Sequence, residues 1–169
     1  MPEPSATRFR RTRWFVLAAA IVVADQLAKW AVLEHFSGGP RSEPLAPFFN
    51  LVLVFNKGAA FSMLSQAQGW QTPLLTVFAL VAAAAVSFLI LRNSTKRMLC
   101  VALSAILGGA LGNVIDRLRF GSVVDFLDFH AAGWHWPAFN VADSAITLGA
   151  ALLILEGLFR HEGRASAAP

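Results

Sequence analysis

The sequence is poor in cysteine and in charged residues. Its single cysteine, Cys100, has no second cysteine for an internal disulfide, and one thiol alone does not make a metal site. Only 14% of the 169 residues are charged, whereas 56% are hydrophobic. Soluble domains contain about 25% charged residues, so this composition indicates an integral membrane protein.

The motifs of several common enzyme classes are also absent. The sequence has no HExxH helix of a zinc peptidase and no GxSxG elbow of a serine hydrolase. It has no Walker or Rossmann glycine pattern, and its four histidines show no spacing typical of metal ligands. We therefore expect no metal and no cofactor.

The apolar residues fall into four blocks that are long enough to cross a bilayer as helices, at 15–33, 72–91, 98–115 and 141–159. The two longer connections, 34–71 and 116–140, are rich in Val, Phe and Leu with Gly and Asn between them, which favours short strands. The sequence thus predicts an all-α polytopic membrane protein, one integral domain over 1–169, with a small extracytoplasmic β-sheet platform.

Most of the basic residues lie in three places next to these blocks. Nine of them precede the first block, fill the link between the second and third, or follow the fourth: Arg8, Arg10, Arg11, Arg13, Arg92, Lys96, Arg97, Arg160 and Arg164. The positive-inside rule then places both termini in the cytoplasm and the two longer connections outside. A cleaved secretory or twin-arginine signal is the alternative for the N-terminus. It is disfavoured because apolar sequence resumes after 25–29.

Polar residues concentrate near the outward edge of the predicted spans. Asp143 and Asn140 lie at the start of the fourth span, and Asp125 lies in the connection before it. Asp25 and Lys29 are four residues apart in the first span and can pair on one helix face. A carboxylate near hydrocarbon is costly and usually functional.

Each polar residue also has a plain structural interpretation. Asp143 could complement a helix N-terminus, and Asp25 with Lys29 could be a structural ion pair. Gly108 and Gly112 are typical of close helix packing. None of these interpretations explains why two aspartates gather at one edge. Two neighbouring carboxyl groups can share a proton, and one then activates water while the other protonates a leaving group.

Five motifs together resemble the lipoprotein signal peptidase (signal peptidase II) family. They are "DQLAK" at 25–29, "FNKGAAFS" at 55–62, "GGALGNVIDR" at 108–117, "GSVVDF" at 121–126 and "FNVADS" at 139–144. Ala28 stands where the family usually has Ser or Thr. The resemblance covers about 15–159.

The resemblance implies an aspartic-type signal peptidase with a catalytic dyad of Asp125 and Asp143. Asp128 lies outside the matching motif. The family positions that bind substrate or support the dyad are matched here by Asn56, Gly58, Asn113, Arg117, Asn140, Asp25 and Lys29.

The resemblance also implies the substrate and the compartment. The substrates would be diacylglyceryl-modified prolipoproteins, cleaved before the lipid-bearing cysteine at the outer-leaflet face of the bacterial cytoplasmic (inner) membrane. Membrane lipid is an expected partner, nucleic acid is not, and the chain is expected to be a monomer.

Two other functions agree with the polar residues taken alone. A proton-coupled carrier also places ionisable groups in a membrane, although four spans are few and the polar groups cluster at one edge. A scaffold could use its glycine faces for helix contacts, but it would leave both aspartates without a role. An Asp125→Asn variant separates these functions, since a scaffold would be unaffected and a carrier would never show proteolysis.

The distribution of basic residues predicts that the C-terminus lies in the cytoplasm. A reporter that is active only outside the cytoplasm, fused after Pro169, should therefore be silent. Reporter activity in that fusion would overturn the predicted topology.

Overall fold

Four long helices form the body of the protein. The computed structural model describes residues 4–58 and 70–165. Its helices are α1 (Pro4–His35), α2 (Gln71–Arg92), α3 (Arg97–Phe120) and α4 (Val141–Ala165). Each contains a stretch of at least 18 residues that is apolar enough to cross a membrane. The prediction of four helices that are long and apolar enough to cross a membrane is therefore confirmed.

Helix α3 is the central helix, because it packs against each of the other three. It continues to Phe120, five residues beyond the apolar block at 98–115, so Asp116 and Arg117 lie in its last turns. Loss of hydropathy does not end this helix, since Asp116 is buried against other polar groups. Gly121 ends it by adopting the left-handed conformation, with φ of 69°.

Glycines let α1, α3 and α4 approach closely. A Cβ at Gly108 would lie 2.7 Å from the carbonyl oxygen of Ala18 in α1. A Cβ at Gly109 would overlap the carbonyl oxygen of Ala142 in α4. Small residues at such positions allow backbones to come together, which is the main source of packing between helices in a membrane.

A four-stranded antiparallel sheet covers one end of the helix bundle. Its strands are β1 (Ser42–Ala46), β2 (Phe49–Asn56), β3 (Val123–Ala131) and β4 (Trp134–His135), in that order. This confirms the small sheet predicted from the two longer connections. We call this the sheet end of the bundle, and the opposite end, with the α2–α3 connection, the link end.

Two apolar clusters hold these parts together. The cluster toward the link end contains residues of α1, α2 and α3: Trp14, Ala18, Ala83, Ile90, Cys100, Leu103 and Leu107. The cluster toward the sheet end joins α1 to β2 and β3 through Val32, Phe36, Leu53, Val124 and Phe126. Ala28, the departure from the family motif, packs against this second cluster. The start of β3 is thereby held against the helices.

The close approach at Gly109 predicts a stability effect. Gly109→Ala should lower the free energy of unfolding by about 1–3 kcal/mol, because the backbone carbonyl that its Cβ would meet cannot rotate away. Gly157→Ala is the matched control, since nothing lies within 4 Å of a Cβ there. Thermal denaturation in detergent measures both. Equal midpoints for the two variants would contradict the packing argument.

Candidate active site

Asp125 lies in β3 and accepts hydrogen bonds from two asparagines. Nδ2 of Asn56, in the neighbouring strand β2, donates to Oδ2 at 2.9 Å. Nδ2 of Asn140 donates to Oδ1 at 2.7 Å. Asn56 is itself held by the backbone N–H of Gly58, which donates to Asn56 Oδ1 at 2.9 Å. The last four residues of the 55–62 motif lie outside the described residues.

Asn140 connects this strand to the first turn of α4, where Asp143 lies. Its Oδ1 accepts the backbone N–H of Asp143 at 2.9 Å, as the N-cap residue of a helix does. The same amide group donates to Asp125, and Asn140 is fully buried. One side chain therefore sets the position of both aspartates.

Asn113 of α3 forms the second bridge. Its Nδ2 donates to Oδ1 of Asp143 at 2.8 Å, and its Oδ1 accepts from Lys29 at 3.0 Å. Asn140 also donates to this Oδ1, at 3.3 Å. Arg117, one turn further along α3, donates to the backbone carbonyl of Asn113 at 3.4 Å. The two asparagines thus link the two carboxyl groups through a continuous chain of hydrogen bonds.

Asp25 and Lys29 of α1 form the ion pair that their spacing predicts, with Nζ 2.8 Å from Oδ2. Both side chains are buried. Two further members of this group were not among the predicted site residues. Gln26 donates to Asp116 Oδ1 at 2.9 Å, and Asp116 Oδ2 forms an ion pair with Lys29 Nζ at 2.8 Å. The available signal was the placement of Asp116 three residues after Asn113, on the same helix face.

The electrostatic settings of Asp125 and Asp128 differ. Burial raises the pKa of Asp125 to about 7, opposed by the Asn56 hydrogen bond and assisted by the charge of Asp143. Burial also raises the pKa of Asp128, but hydrogen bonds from Asn50 and His135 outweigh it and leave that pKa below its ordinary value. Asp125 can therefore hold a proton near neutral pH, whereas Asp128 is ionised.

Asp128 also lies in a separate hydrogen-bonded group. Its Oδ2 accepts from Asn50 at 2.8 Å, and His135 Nδ1 lies 2.9 Å from both carboxylate oxygens. Within the described residues, Asp128 shares no hydrogen-bond partner with Asp125 or Asp143. All nine sequence-predicted site residues are thus gathered at the sheet end of the bundle, whereas Asp128, from the same strand as Asp125, bonds to Asn50 and His135 instead.

Four membrane-spanning helices that bury carboxylates, amides and a lysine below a small sheet define a polytopic membrane protein with a buried polar site. The family model for signal peptidase (SPase) II matches residues 17–159 of the chain. The chain belongs to the signal peptidase II family, and it is therefore a peptidase.

The relatives and structural neighbours agree with this assignment. The chain is 54% identical over 150 residues to the lipoprotein signal peptidase of Paraburkholderia phymatum, covering 89% of this chain and 90% of the relative. It is 47% identical over 154 residues to that of Polynucleobacter necessarius, covering 91% and 94%. A bacterial membrane enzyme solved in meso at 2.3 Å superposes with a TM-score of 0.77 and 29% identity, covering 90% of this chain and 91% of that one.

The raised pKa of Asp125 predicts a titration near neutral pH. The infrared band of its protonated carboxyl group should disappear with a midpoint near pH 7 and be missing in Asp125→Asn. Asn56→Ala should move the midpoint upward, because the lost hydrogen bond favours the ionised form. A midpoint near the ordinary value of 3.8 would contradict this prediction.

The same shift has a consequence for stability. Between its ordinary pKa of 3.8 and about 7, the folded protein holds a proton that the unfolded chain has lost. The contribution of this group to stability is therefore greatest below pH 3.8 and declines as the pH rises toward 7.

Proposed function

We propose that the chain removes signal peptides from lipid-modified prolipoproteins, using Asp125 and Asp143 as an aspartic dyad. The bond cleaved is the peptide bond before the diacylglyceryl-modified cysteine. The observation that carries the proposal is the double role of Asn140, which donates to Asp125 and accepts the backbone N–H of Asp143. This arrangement holds two carboxyl groups together at a partly buried site.

The reaction follows from a single proton shared by the pair. The ionised carboxylate takes a proton from water as the water oxygen attacks the scissile carbonyl carbon. The protonated carboxyl group then gives its proton to the amide nitrogen as the C–N bond breaks. The products are a free carboxyl group on the signal peptide and a free amine on the cysteine. The raised pKa of Asp125 supports its holding this proton near pH 7.

The position of the site suits a substrate that remains in the membrane. Asp125 lies in the sheet and Asp143 in the first turn of a membrane-spanning helix, so the dyad lies where the helices meet the sheet. By the positive-inside rule the sheet end faces outward. Acyl chains can then stay in the outer leaflet while the peptide reaches the two carboxyl groups.

Three aspartate variants test the dyad. Asp125→Asn and Asp143→Asn should each lower the turnover of a lipid-modified precursor by a factor on the order of 100 or more, because each removes a proton-transfer group and preserves shape. Asp128→Asn is the matched control from the same strand and should retain most of the activity, since its partners are Asn50 and His135. Turnover is followed as a size shift of the precursor at equal amounts of folded enzyme. An active Asp125→Asn beside an inactive Asp128→Asn would show that the wrong aspartate was chosen.

Substrate choice provides a separate prediction. The unmodified precursor should be cleaved poorly or not at all by the purified protein. The acyl chains hold the substrate in the membrane, and each buried CH₂ contributes about 0.8 kcal/mol. The comparison uses one precursor with and without the diacylglyceryl group. Equal kcat/KM for the two forms would refute the lipid requirement and leave the dyad untouched.

A further inference from the structure

Asp116 contacts the backbone immediately before Asp125. It lies in α3 and is 1% exposed. Its Oδ2 accepts the backbone N–H of Val124 at 3.0 Å, and Val124 directly precedes Asp125 in β3. Since the carboxylate of Asp116 does not touch that of Asp125, any influence passes through the strand backbone.

Asp25 makes the corresponding contact for Asp143. Its Oδ1 accepts the backbone N–H of Ala142 at 2.9 Å, and Ala142 directly precedes Asp143. This N–H belongs to the first turn of α4, where backbone donors have no partner within the helix. Asp25 therefore caps α4 from another helix.

Lys29 joins these two carboxylates. Its ammonium group has three donors, and it meets Asp25 at 2.8 Å, Asp116 at 2.8 Å and Asn113 at 3.0 Å. Lys29 is 2% exposed and Asp25 is fully buried. A buried ammonium without carboxylate partners is strongly destabilised, so this geometry tolerates little displacement.

Gln26 ties the same two carboxylates together a second time. Its Nε2 lies 3.2 Å from Asp25 Oδ2 and 2.9 Å from Asp116 Oδ1. It also lies 3.2 Å from the carbonyl oxygen of Gly112. A Cβ at Gly112 would lie 2.6 Å from Asp25 Oδ2, so only glycine lets α3 come this close.

We propose that Asp116 is a positioning residue for Asp125, as Asp25 is for Asp143. Lys29, which pairs with both Asp116 and Asp25, fixes these two carboxylates relative to each other. The proposal rests on the aspartic dyad of the proposed function. Each buried carboxylate fixes the backbone amide of the residue before one reacting aspartate. Both carboxylates bind the same ammonium group. The positions of β3 and α4 are therefore fixed relative to Lys29 and so to each other.

The register of β3 explains why this contact matters for the reaction. Val124 pairs with Phe55, and Asp125 pairs with Val54 next to an irregularity in β2. Strand pairing alone is thus interrupted beside Asp125. A misplacement of about 1 Å at a reacting group can lower the rate by a factor of about 100. The bond from Asp116 holds the strand at Val124, on the other side of Asp125 from this irregularity.

The test compares Asp116→Ala with Asp116→Asn. The alanine variant loses the acceptor for the Val124 amide, and kcat should fall by a factor on the order of 10–100 with little change in KM. The asparagine variant keeps an acceptor oxygen and should recover most of kcat. Ser104→Ala is the matched control, because Ser104 is a buried polar residue of α3 that bonds only its own helix, at Cys100.

Two readouts separate positioning from stability. In Asp116→Ala, the Val124 amide should exchange with deuterium faster than in wild type or in Asp116→Asn. The alkaline limb of the kcat profile, which the raised pKa of Asp125 predicts near pH 7, should shift from its wild-type position in the alanine variant, because a displaced strand changes the contacts of Asp125 with Asn56 and Asn140. If Asp116 only stabilised the fold, its loss would lower kcat by the same factor at every pH and leave the midpoint of the pH profile unchanged.

Each result decides the proposal. A folded Asp116→Ala protein with the kcat, pH limb and Val124 exchange of Ser104→Ala overturns it. Failure of both Asp116 variants to accumulate as folded protein also overturns it, since Asp116 would then serve folding. Activity in Asp125→Asn or Asp143→Asn refutes the dyad instead. Inactivity of those two beside a fully active Asp116→Ala refutes the positioning role alone.

Discussion

The burial of one ammonium group, that of Lys29, is the constraint on which the site depends. A lysine that is 2% exposed between membrane-spanning helices is tolerated only when its hydrogens meet acceptors. Two carboxylates and one amide oxygen supply them, from α1 and α3. Each of the three residues that supply these acceptors in turn bonds to Val124 in β3 or to Ala142 or Asp143 in α4. One buried charge therefore fixes α3, β3 and α4 relative to α1.

The asparagines hold the carboxyl groups of the site in fixed positions while Asp143 remains partly exposed. Asn113 and Asn140 are buried, and their amide groups are committed to fixed partners. The carboxyl group of Asp143 is bonded at one oxygen by Asn113, and the residue is only partly buried. Neutral amides can hold two carboxyl groups close together without adding charge, so the pair can still bind and release a proton.

Local sequence patterns predicted the parts of the structure that depend on local chemistry. Apolar blocks predicted the four helices, and the four-residue spacing predicted the pairing of Asp25 with Lys29. The end of α3 was harder to predict from the sequence, because the last turns of this helix are stabilised by buried polar contacts and not by apolar side chains. Likewise, the bond from Asp116 to Val124 depends on a helix meeting the edge of a strand.

The long-range part of the site needed information that spacing does not contain. Asn113 and Asp143 are 30 residues apart, and Asp25 and Ala142 are 117 apart. Their proximity follows from the packing of α1, α3 and α4 through glycine contacts. The motif resemblance selected the correct family, but the contacts that join its motifs became visible only in three dimensions.

The placement of Asp25 and Lys29 within a single helix also bears on how the protein enters the membrane. Helix α1 is made first, and its lysine has a carboxylate one turn away, so the two opposite charges lie within one segment. Asp116 arrives later with α3, and the amide of Ala142 arrives last with α4. The first helix thus carries its own counter-ion, and the network of buried polar contacts is complete only when α4 has packed against α1 and α3.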